Sequence, residues 1–292
     1  RAAVPSTPGL AEVGYLTNET VFSLTELPQR IGVIGAGPIG CELAQAFARF
    51  GSQVFLIEAG HGLMPNEDRD AAAIVEERMV RDGVKLLCCG RELKLNKIDT
   101  GKRLTVDSHG QYYDITVDEI LLGVGRTPNV QGLGLETAGV QYDRNGVMVN
   151  ERLQTTNPRI YAAGDICSKY KFTHAADAMA QIVIQNALFP HPFGLAYASA
   201  DSLVMPWCTY TEPEVAHVGM YEADARAKGL EVEPYTYHLA EVDRAILDGE
   251  DEGFARVHIQ KGTDKILGAT IVAYHAGDMI NEFSVLMKAG AG

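Results

Sequence analysis

Arg30-Ile31-Gly32-Val33-Ile34-Gly35-Ala36-Gly37-Pro38-Ile39-Gly40-Cys41-Glu42-Leu43-Ala44 is the stretch from which the fold follows. Ile31 to Ile34 is a short apolar run bounded by glycine, the pattern of a buried parallel strand. From Pro38 the apolar residues Ile39, Leu43, Phe47 and Phe50 recur at helical spacing, and Gly51 stands where a left-handed C-terminal cap falls. Between strand and helix lie Gly35, Gly37 and Gly40, spaced G-x-G-x-x-G. Such a sextet alone is a weak signal, but here it follows a strand and opens a helix, the context in which it carries a mechanism. Gly35 permits the tight turn, Gly37 lets backbone approach a pyrophosphate, and Gly40 lets the helix pack closely on the strand. The first helical N–H groups, around Ile39 and Gly40, then face the diphosphate.

Outward from this turn the pattern repeats. Gln53 to Ile57 reads as a second strand, Asp68 to Arg81 as a second helix closed by Asp82-Gly83, and Val84 to Cys88 as a third strand. The order β-α-β-α-β predicts a parallel sheet with right-handed crossovers. Residues 101–117 alternate around His109-Gly110 as a β-hairpin or meander insert, and Glu119 to Leu122 rejoins the sheet. Glu58 ends the second strand, eighteen residues after Gly40. A carboxylate there accepts both ribose hydroxyls of an adenosine and repels a 2′-phosphate. Ala59, Gly60, His61 and Gly62 supply no Arg or Lys for such a phosphate, so NAD is the expected dinucleotide, with NADH favoured over NADPH.

Residues 1–28, with Pro5, Pro8-Gly9 and Leu27-Pro28, read as a connection. Residues 29–148 form the dinucleotide-binding Rossmann domain. In 149–195, Arg159 to Ala163 reads as a strand ending in Gly164-Asp165, and a helix runs from about His174 to Leu188. Residues 196–292 alternate strands (Trp207 to Tyr210, Ala255 to Ile259, Ile266 to Val272) with helices near 221–228 and 277–289, an α+β domain.

The 292 residues carry a formal net charge of −13, with 46% hydrophobic and 22% charged residues. This is the composition of a globular protein, and its sign makes nucleic acid and anionic membrane poor partners. No apolar run approaches the roughly 18 to 20 residues of a membrane helix. Cysteines at 41, 88, 89, 167 and 208 show no CxxC and no zinc-type Cys/His spacing, so a disulfide scaffold is not expected and a cytoplasmic location is the default. Cys88-Cys89 end a strand, where neighbours face opposite sides, so core packing is preferred over metal binding. His174, His217 and His275 lack spaced partners, and no metal site is expected. Arg1 is not an initiator Met, and the chain reads as beginning in mid-protein.

IGVIGAGPIGCELA (31–44), GVGRTPN (123–129), RIYAAGD (159–165), THAADAMA (173–180) and WCTYTEPEVAHVG (207–219) occur in one order along the chain. Together they resemble the FAD-dependent pyridine nucleotide-disulfide oxidoreductases, which include dihydrolipoamide dehydrogenase, glutathione reductase and mercuric reductase; PWCTYTEPEVAHVG (206–219) and HAGDMINEF (275–283) look most like the mercuric reductase branch. The resemblance implies an α/β fold of three parts: the Rossmann domain with its β-meander insert, the returning C-terminal segment of an FAD domain, and an α+β dimerisation domain that makes a homodimer. It implies that Gly164 and Asp165 hold the flavin's ribityl chain, and that Thr173, His174 and Ala175 point a helix N-terminus at the flavin, where charge develops on reduction. Without the family, Asp165 is equally a turn former after glycine.

Glu42 is placed by the resemblance beside nicotinamide and flavin, although charge complementarity to its helix N-terminus, worth about 0.3–1 kcal/mol, accounts for it as well. Gly125 and Arg126 become dinucleotide contacts. The implied reaction passes hydride from NADH through FAD to a disulfide-type, small-molecule or metal-ion acceptor. The family's CxxxxC redox pair, its FAD glycine loop and its C-terminal His/Glu pair are not among these residues, so the chain is expected to be truncated at both ends and inactive alone. Two other readings stay open: a non-catalytic NAD-binding fragment, and a same-fold NADH oxidase or transhydrogenase without a redox disulfide. Met279, Ile280, Phe283, Leu286 and Met287 form an apolar stripe that either builds the dimer or packs on strands of its own domain.

Overall fold

The computed structural model describes residues 1–292, Gly194 by its backbone alone. The chain forms two compact units, one of Ala2–Gly125 with Pro206–Gly292, the other of Arg1 with Arg126–Met205. The first opens with α1 (Leu10–Val13), then β1 (Arg30–Ile34), α2 (Pro38–Arg49), β2 (Gln53–Ile57), α3 (Arg69–Arg81) and β3 (Lys85–Leu87). A meander β4 (Arg91–Ile98), β5 (Gly101–Ser108) and β6 (Gln111–Val117) follows, and β7 (Glu119–Leu122) returns to the sheet. The strand order β3-β2-β1-β7 is parallel throughout, with Ile31 opposite both Val54 and Glu119.

Successive side chains of a strand face opposite sides, and here the two sides have different covers. Ile31, Val33, Val54, Leu56 and Leu121 pack with Cys41, Ala44 and Phe47 of α2 and Val75 and Met79 of α3. Ile34, Phe55, Ile57, Ile120 and Leu122 pack with Leu95, Leu104, Val106, Ile115 and Val117 of the meander. Two expectations need correction here. The third strand closes at Leu87, before Cys88, and the meander has a strand, β4, that the sequence reading left out. Only Leu95 of β4 is fully buried, so its hydrophobic alternation is too sparse to announce a strand.

The second unit holds a two-stranded ribbon of β8 (Tyr142–Asp143) and β9 (Gly146–Val147), and α4 (Thr173–Leu188). Leu153, Met179 and Ile182 form its buried cluster. Arg159 to Ala163 is not a strand, contrary to its apolar look. Tyr161 makes one isolated bridge, to Gln154, and among the described residues no neighbouring strand extends it into a ladder.

Pro206–Gly292 completes the first unit with β10 (Pro206–Thr209), β11 (Glu214–Gly219), α5 (Glu222–Ala227), β12 (Val232–His238), α6 (Asp243–Asp248), β13 (Phe254–Gln260), β14 (Ile266–Ala273) and α7 (Ala276–Ala289). The five strands form an antiparallel sheet ordered β10-β11-β14-β13-β12. In α7, Ala276 and Ile280 are buried while Met279, Val285 and Leu286 stay exposed, so the apolar stripe divides between its own domain and solvent.

A buried polar knot fastens this sheet to the Rossmann half. Trp207 Nε1 donates to Glu67 Oε1 at 3.1 Å, and the Tyr221 hydroxyl donates to Glu67 Oε2. The His217 ring stacks on Tyr221 with centroids 3.6 Å apart, and its Nδ1 bonds the Thr270 hydroxyl at 2.8 Å. Burial pushes His217 down to about 3 from an ordinary 6.5, against a weaker opposing pull from the Gly219 carbonyl. The unfolded chain therefore takes up this proton near pH 6.5 while the folded chain refuses it. Stability present above pH 6.5 is lost as pH falls toward 3. Thermal unfolding of the parent should show a melting temperature that drops across this window, and His217→Gln should flatten that part of the drop; parallel curves would show that His217 does not govern it.

Candidate dinucleotide-binding site

β1 and β7 end side by side, so the loops that follow them, Gly35–Gly37 and Gly123–Gly125, share one carboxyl edge of the sheet. Open α/β sheets place their ligands at this edge. Gly35 has φ +100°, a conformation that side chains rarely adopt, and a Cβ there would meet the Gly123 backbone at 2.8 Å. A Cβ on Gly40 would lie 1.9 Å from the Gly35 carbonyl oxygen. Around these two positions backbone touches backbone.

Gly37 differs. Its φ of −74° suits any residue, and the only atom near a Cβ there is the Gly123 oxygen at 3.8 Å. The direction in which a side chain would project is open, at the head of α2, whose first-turn N–H groups lack intrahelical acceptors. That opening leaves the helix head accessible from outside. Ile39 is half-buried on this turn and Pro38 sits at the first helical positions, where its missing N–H costs nothing. Gly125, at φ +98°, is exposed with nothing within 4 Å of its Cβ position.

Glu58 leaves the end of β2 and turns back to this loop. Its Oε2 accepts from the Ala36 N–H at 2.8 Å and its Oε1 from the Gly60 N–H at 2.7 Å. A carboxylate has about four lone-pair sites, so two backbone donors aim the group without exhausting it. Arg69, a cation near this loop that sequence reasoning did not consider, directs its guanidinium at the carbonyls of Leu63, Met64 and Glu67. It is thereby committed to backbone.

Glu42, Gln45 and Arg49 recur at i, i+3 and i+7 on one face of α2, and that face meets the β10–β11 turn. Glu42 Oε1 accepts the Tyr210 N–H at 2.8 Å, and Gln45 exchanges hydrogen bonds with the Glu212 backbone at 2.8 and 2.9 Å. Arg49 bridges Asp82 at 2.8 Å and Glu212 at 2.6 Å. Burial raises the Glu42 carboxyl above its usual range and the Tyr210 N–H pulls it back. Glu42, Gln45, Arg49, Tyr210 and Glu212 line a groove of about 390 Å³ with Tyr274 and His275.

In the other unit, Gly164 and Asp165 lie in a 3-10 turn, and Gly164 has φ +76°. The Asp165 carboxylate accepts from Arg126 Nε at 2.8 Å, and Lys171 Nζ donates to the Asp165 carbonyl at 2.6 Å. The pairing of Arg126 with Asp165, two residues that the sequence reading assigned to different ligands, is a finding of the structure. Thr173 and His174 are exposed and Ala175 buried at the head of α4, which has no side-chain cap. The His174 ring stacks on Phe172 at 5.4 Å.

Cys88 and Cys89 overturn the geometry expected of them. They follow β3 instead of ending it, and Cys89 has φ +53°, so the strand rule of opposite faces does not apply. Both side chains are half-buried and come within reach of one another and of His109.

A family model described as pyridine nucleotide-disulphide oxidoreductase matches residues 1–181, and one for the dimerisation domain of the same family matches residues 205–292. A mercuric reductase of Staphylococcus aureus is 36% identical over 289 residues, covering 99% of this chain and 52% of the relative. A dihydrolipoyl dehydrogenase of Bacillus subtilis (strain 168) is 30% identical over 281 residues, 94% of this chain and 58% of the relative. The chain thus spans about half the length of the curated relatives it matches. Among solved structures, the HOCl-induced flavoprotein disulfide reductase RclA from Escherichia coli superposes with a TM-score of 0.87 at 29% identity, over 100% of this chain and 66% of that one.

The glycine geometry separates two kinds of damage. Gly40→Ala should destabilise the chain by about 1–3 kcal/mol through overpacking against backbone, whereas Gly37→Ala should leave denaturant unfolding within about 0.5 kcal/mol of the parent. Equal losses in the two variants would contradict the open approach at Gly37.

Proposed function

Since the chain belongs to the pyridine nucleotide-disulphide oxidoreductase family, we propose that it supplies the nicotinamide-nucleotide site of a flavin-dependent oxidoreductase that takes hydride from NADH. The observation that carries this reading is the joint geometry of Gly37 and Glu58: an open anion cradle at a helix head, and a carboxylate aimed at the same loop.

In this reading the α2 N-terminus holds the pyrophosphate, with the Ile39 and Gly40 N–H groups facing it. Glu58 keeps both oxygens directed by the Ala36 and Gly60 N–H groups and accepts the adenosine ribose hydroxyls. Gly125 and Arg126 follow β7 as the expected dinucleotide contacts, and Glu42, raised by burial and tied to Tyr210, is the residue of α2 assigned to the nicotinamide. Asp165, directed by Arg126, would accept ribityl hydroxyls of FAD, and Thr173, His174 and Ala175 would offer it an uncapped helix head, where a helix dipole stabilises negative charge. FAD, when bound, supplies the two-electron relay between NADH and the acceptor. For the whole protein we propose a disulfide-type or metal-ion acceptor, in keeping with the disulfide and mercuric reductases among the relatives.

Glu58 argues for NADH over NADPH. A 2′-phosphate there would meet a carboxylate, and His61 and Arg69 are both engaged elsewhere. Fluorescence titration of the chain should give NADH an affinity roughly tenfold or more above that of NADPH, since hydrogen bonds to a charged group contribute about 1.5–3 kcal/mol. Glu58→Ala should narrow the gap and Gly37→Ala should weaken both nucleotides. Equal affinities in the unsubstituted chain would sink the assignment.

We also propose that Met279, Val285 and Leu286, exposed on the outer face of α7, contribute to a contact between two copies of this dimerisation module. Sedimentation at micromolar concentration should show a dimer that Leu286→Glu shifts toward monomer. A parent that sediments only as monomer would count against the contact.

A further inference from the structure

Two thiols and two imidazoles converge on the turn between β3 and β4. Cys88 Sγ lies 3.1 Å from His109 Nε2, and Cys89 Sγ lies 3.2 Å from His61 Nδ1. The ligand atoms of Cys88, Cys89 and His109 all fall within 4.8 Å of one another. The His61 and His109 rings stand nearly perpendicular with centroids 6.2 Å apart. Cys88, Cys89 and His109 thus share one small volume at the surface, and His61, from a third loop, borders it through Cys89.

The backbone that carries them is held firmly. The Cys89 N–H donates to the Gly60 carbonyl at 2.8 Å, the Gly90 N–H to the Glu58 carbonyl at 2.8 Å, and the Ser108 hydroxyl to the Cys88 carbonyl at 2.6 Å. Cys89 and His109 both have φ +53°, a conformation that costs a non-glycine residue roughly 1–2 kcal/mol. At Cys89 it brings adjacent thiols together, where an extended strand would part them. None of the hydrogen bonds named here explains why both thiols should face imidazoles.

The donor set is soft. Sulfur and imidazole nitrogen suit Zn(II) and other thiophilic d10 cations, whereas Ca(II) and Mg(II) require oxygen. With metal–sulfur near 2.3 Å and metal–nitrogen near 2.0–2.1 Å, neighbouring ligands of a tetrahedral ion stand about 3.6 Å apart. The two sulfur–nitrogen distances therefore need to open by only a few tenths of an ångström.

We propose that Cys88, Cys89 and His109, completed by His61 after a swing of its exposed ring, bind one Zn(II)-class cation in the Rossmann domain. Binding releases the two thiol protons to solvent and changes no oxidation state. Thiols ligate as thiolates, so the ion competes with protons and affinity rises with pH.

Co(II) is the probe of choice because it reports its ligands. Titration of the full chain under reducing conditions should saturate at one Co(II), with thiolate-to-cobalt charge-transfer absorption and the visible bands of a tetrahedral ion, and Zn(II) should bleach both. Cys88→Ser and His109→Ala should each weaken Zn(II) by roughly tenfold or more, while Cys167→Ser leaves the titration unchanged. If either variant fails to fold, the unsubstituted chain still decides the matter. Stoichiometric Zn(II) should slow alkylation of Cys88 and Cys89, mapped by mass spectrometry, and leave Cys167 as reactive as before. Absence of the thiolate band, a band of undiminished intensity at saturation in Cys88→Ser, or unprotected alkylation of Cys88 would overturn the proposal. None of these readouts involves a nucleotide, so the outcome is independent of the dinucleotide reading.

Discussion

Everything at the carboxyl edge of the parallel sheet depends on backbone meeting backbone at Gly35, Gly40 and Gly123. A Cβ on Gly123 would sit 2.9 Å from the Gly40 Cα, as a Cβ on Gly40 would sit 1.9 Å from the Gly35 oxygen. The two strand-to-loop junctions can therefore close on each other only where no side chain intervenes. That closure draws the head of α2 down onto the sheet and leaves Gly37 as the outermost point of the turn, facing open space. The accessible helix head is a consequence of this contact: helix dipole and unpaired N–H groups exist at every helix head, but here the approach to them is kept clear.

The same helix also joins the two halves of its unit. Its apolar face packs on β1 and β2, and its polar face, Glu42, Gln45 and Arg49, meets the turn between β10 and β11. The partly exposed ion pairs of Arg49 contribute little individually. Glu67 contributes differently. It is buried, burial raises its carboxyl, and the Tyr221 and Trp207 donors pull it back. A group in that position is expensive to leave unsatisfied, so the knot constrains where the second sheet can sit relative to α3. Specificity of docking thus rests on a few polar groups, while the apolar clusters supply the bulk of the burial.

What could be read in the sequence was what depends on local backbone. The strand, turn and helix around Gly35, the alternation of β1 and β2 and the position of Glu58 each follow from rules that span a few residues. What could not be read depends on contacts between distant segments or on a strand ending one residue early. Arg126 and Asp165 are 39 residues apart, and nothing in either motif announces their ion pair. Arg159 to Ala163 has the composition of a strand, but composition does not supply a neighbour. Cys88 and Cys89 were assigned opposite faces on the premise that β3 reached them. With β3 closing at Leu87 and Cys89 in the left-handed region, the premise fails, and zinc-type spacing could not have rescued it, because the imidazoles arrive from two other loops.

This turn and the Glu58 carboxylate share one hydrogen-bonded frame. Glu58 donates its N–H to the Leu87 carbonyl and accepts at its own carbonyl from the Gly90 N–H, while Gly60, whose N–H aims the Glu58 side chain, accepts from the Cys89 N–H. Residues 87–90 and 58–60 thus form a closed ring of backbone contacts with the carboxylate on one side and the thiols on the other. An ion that fixed the thiols would restrict the same peptide units that orient Glu58. On the proposed reading of Glu58, such a restriction would enter the free energy of binding a ribose, and by linkage a bound ribose would alter the affinity for the ion by the same factor. The size of that coupling depends on how far the turn moves when its two sulfur–nitrogen distances open, and the short, pinned backbone at Cys89 limits that movement to the side chains and the His61 ring.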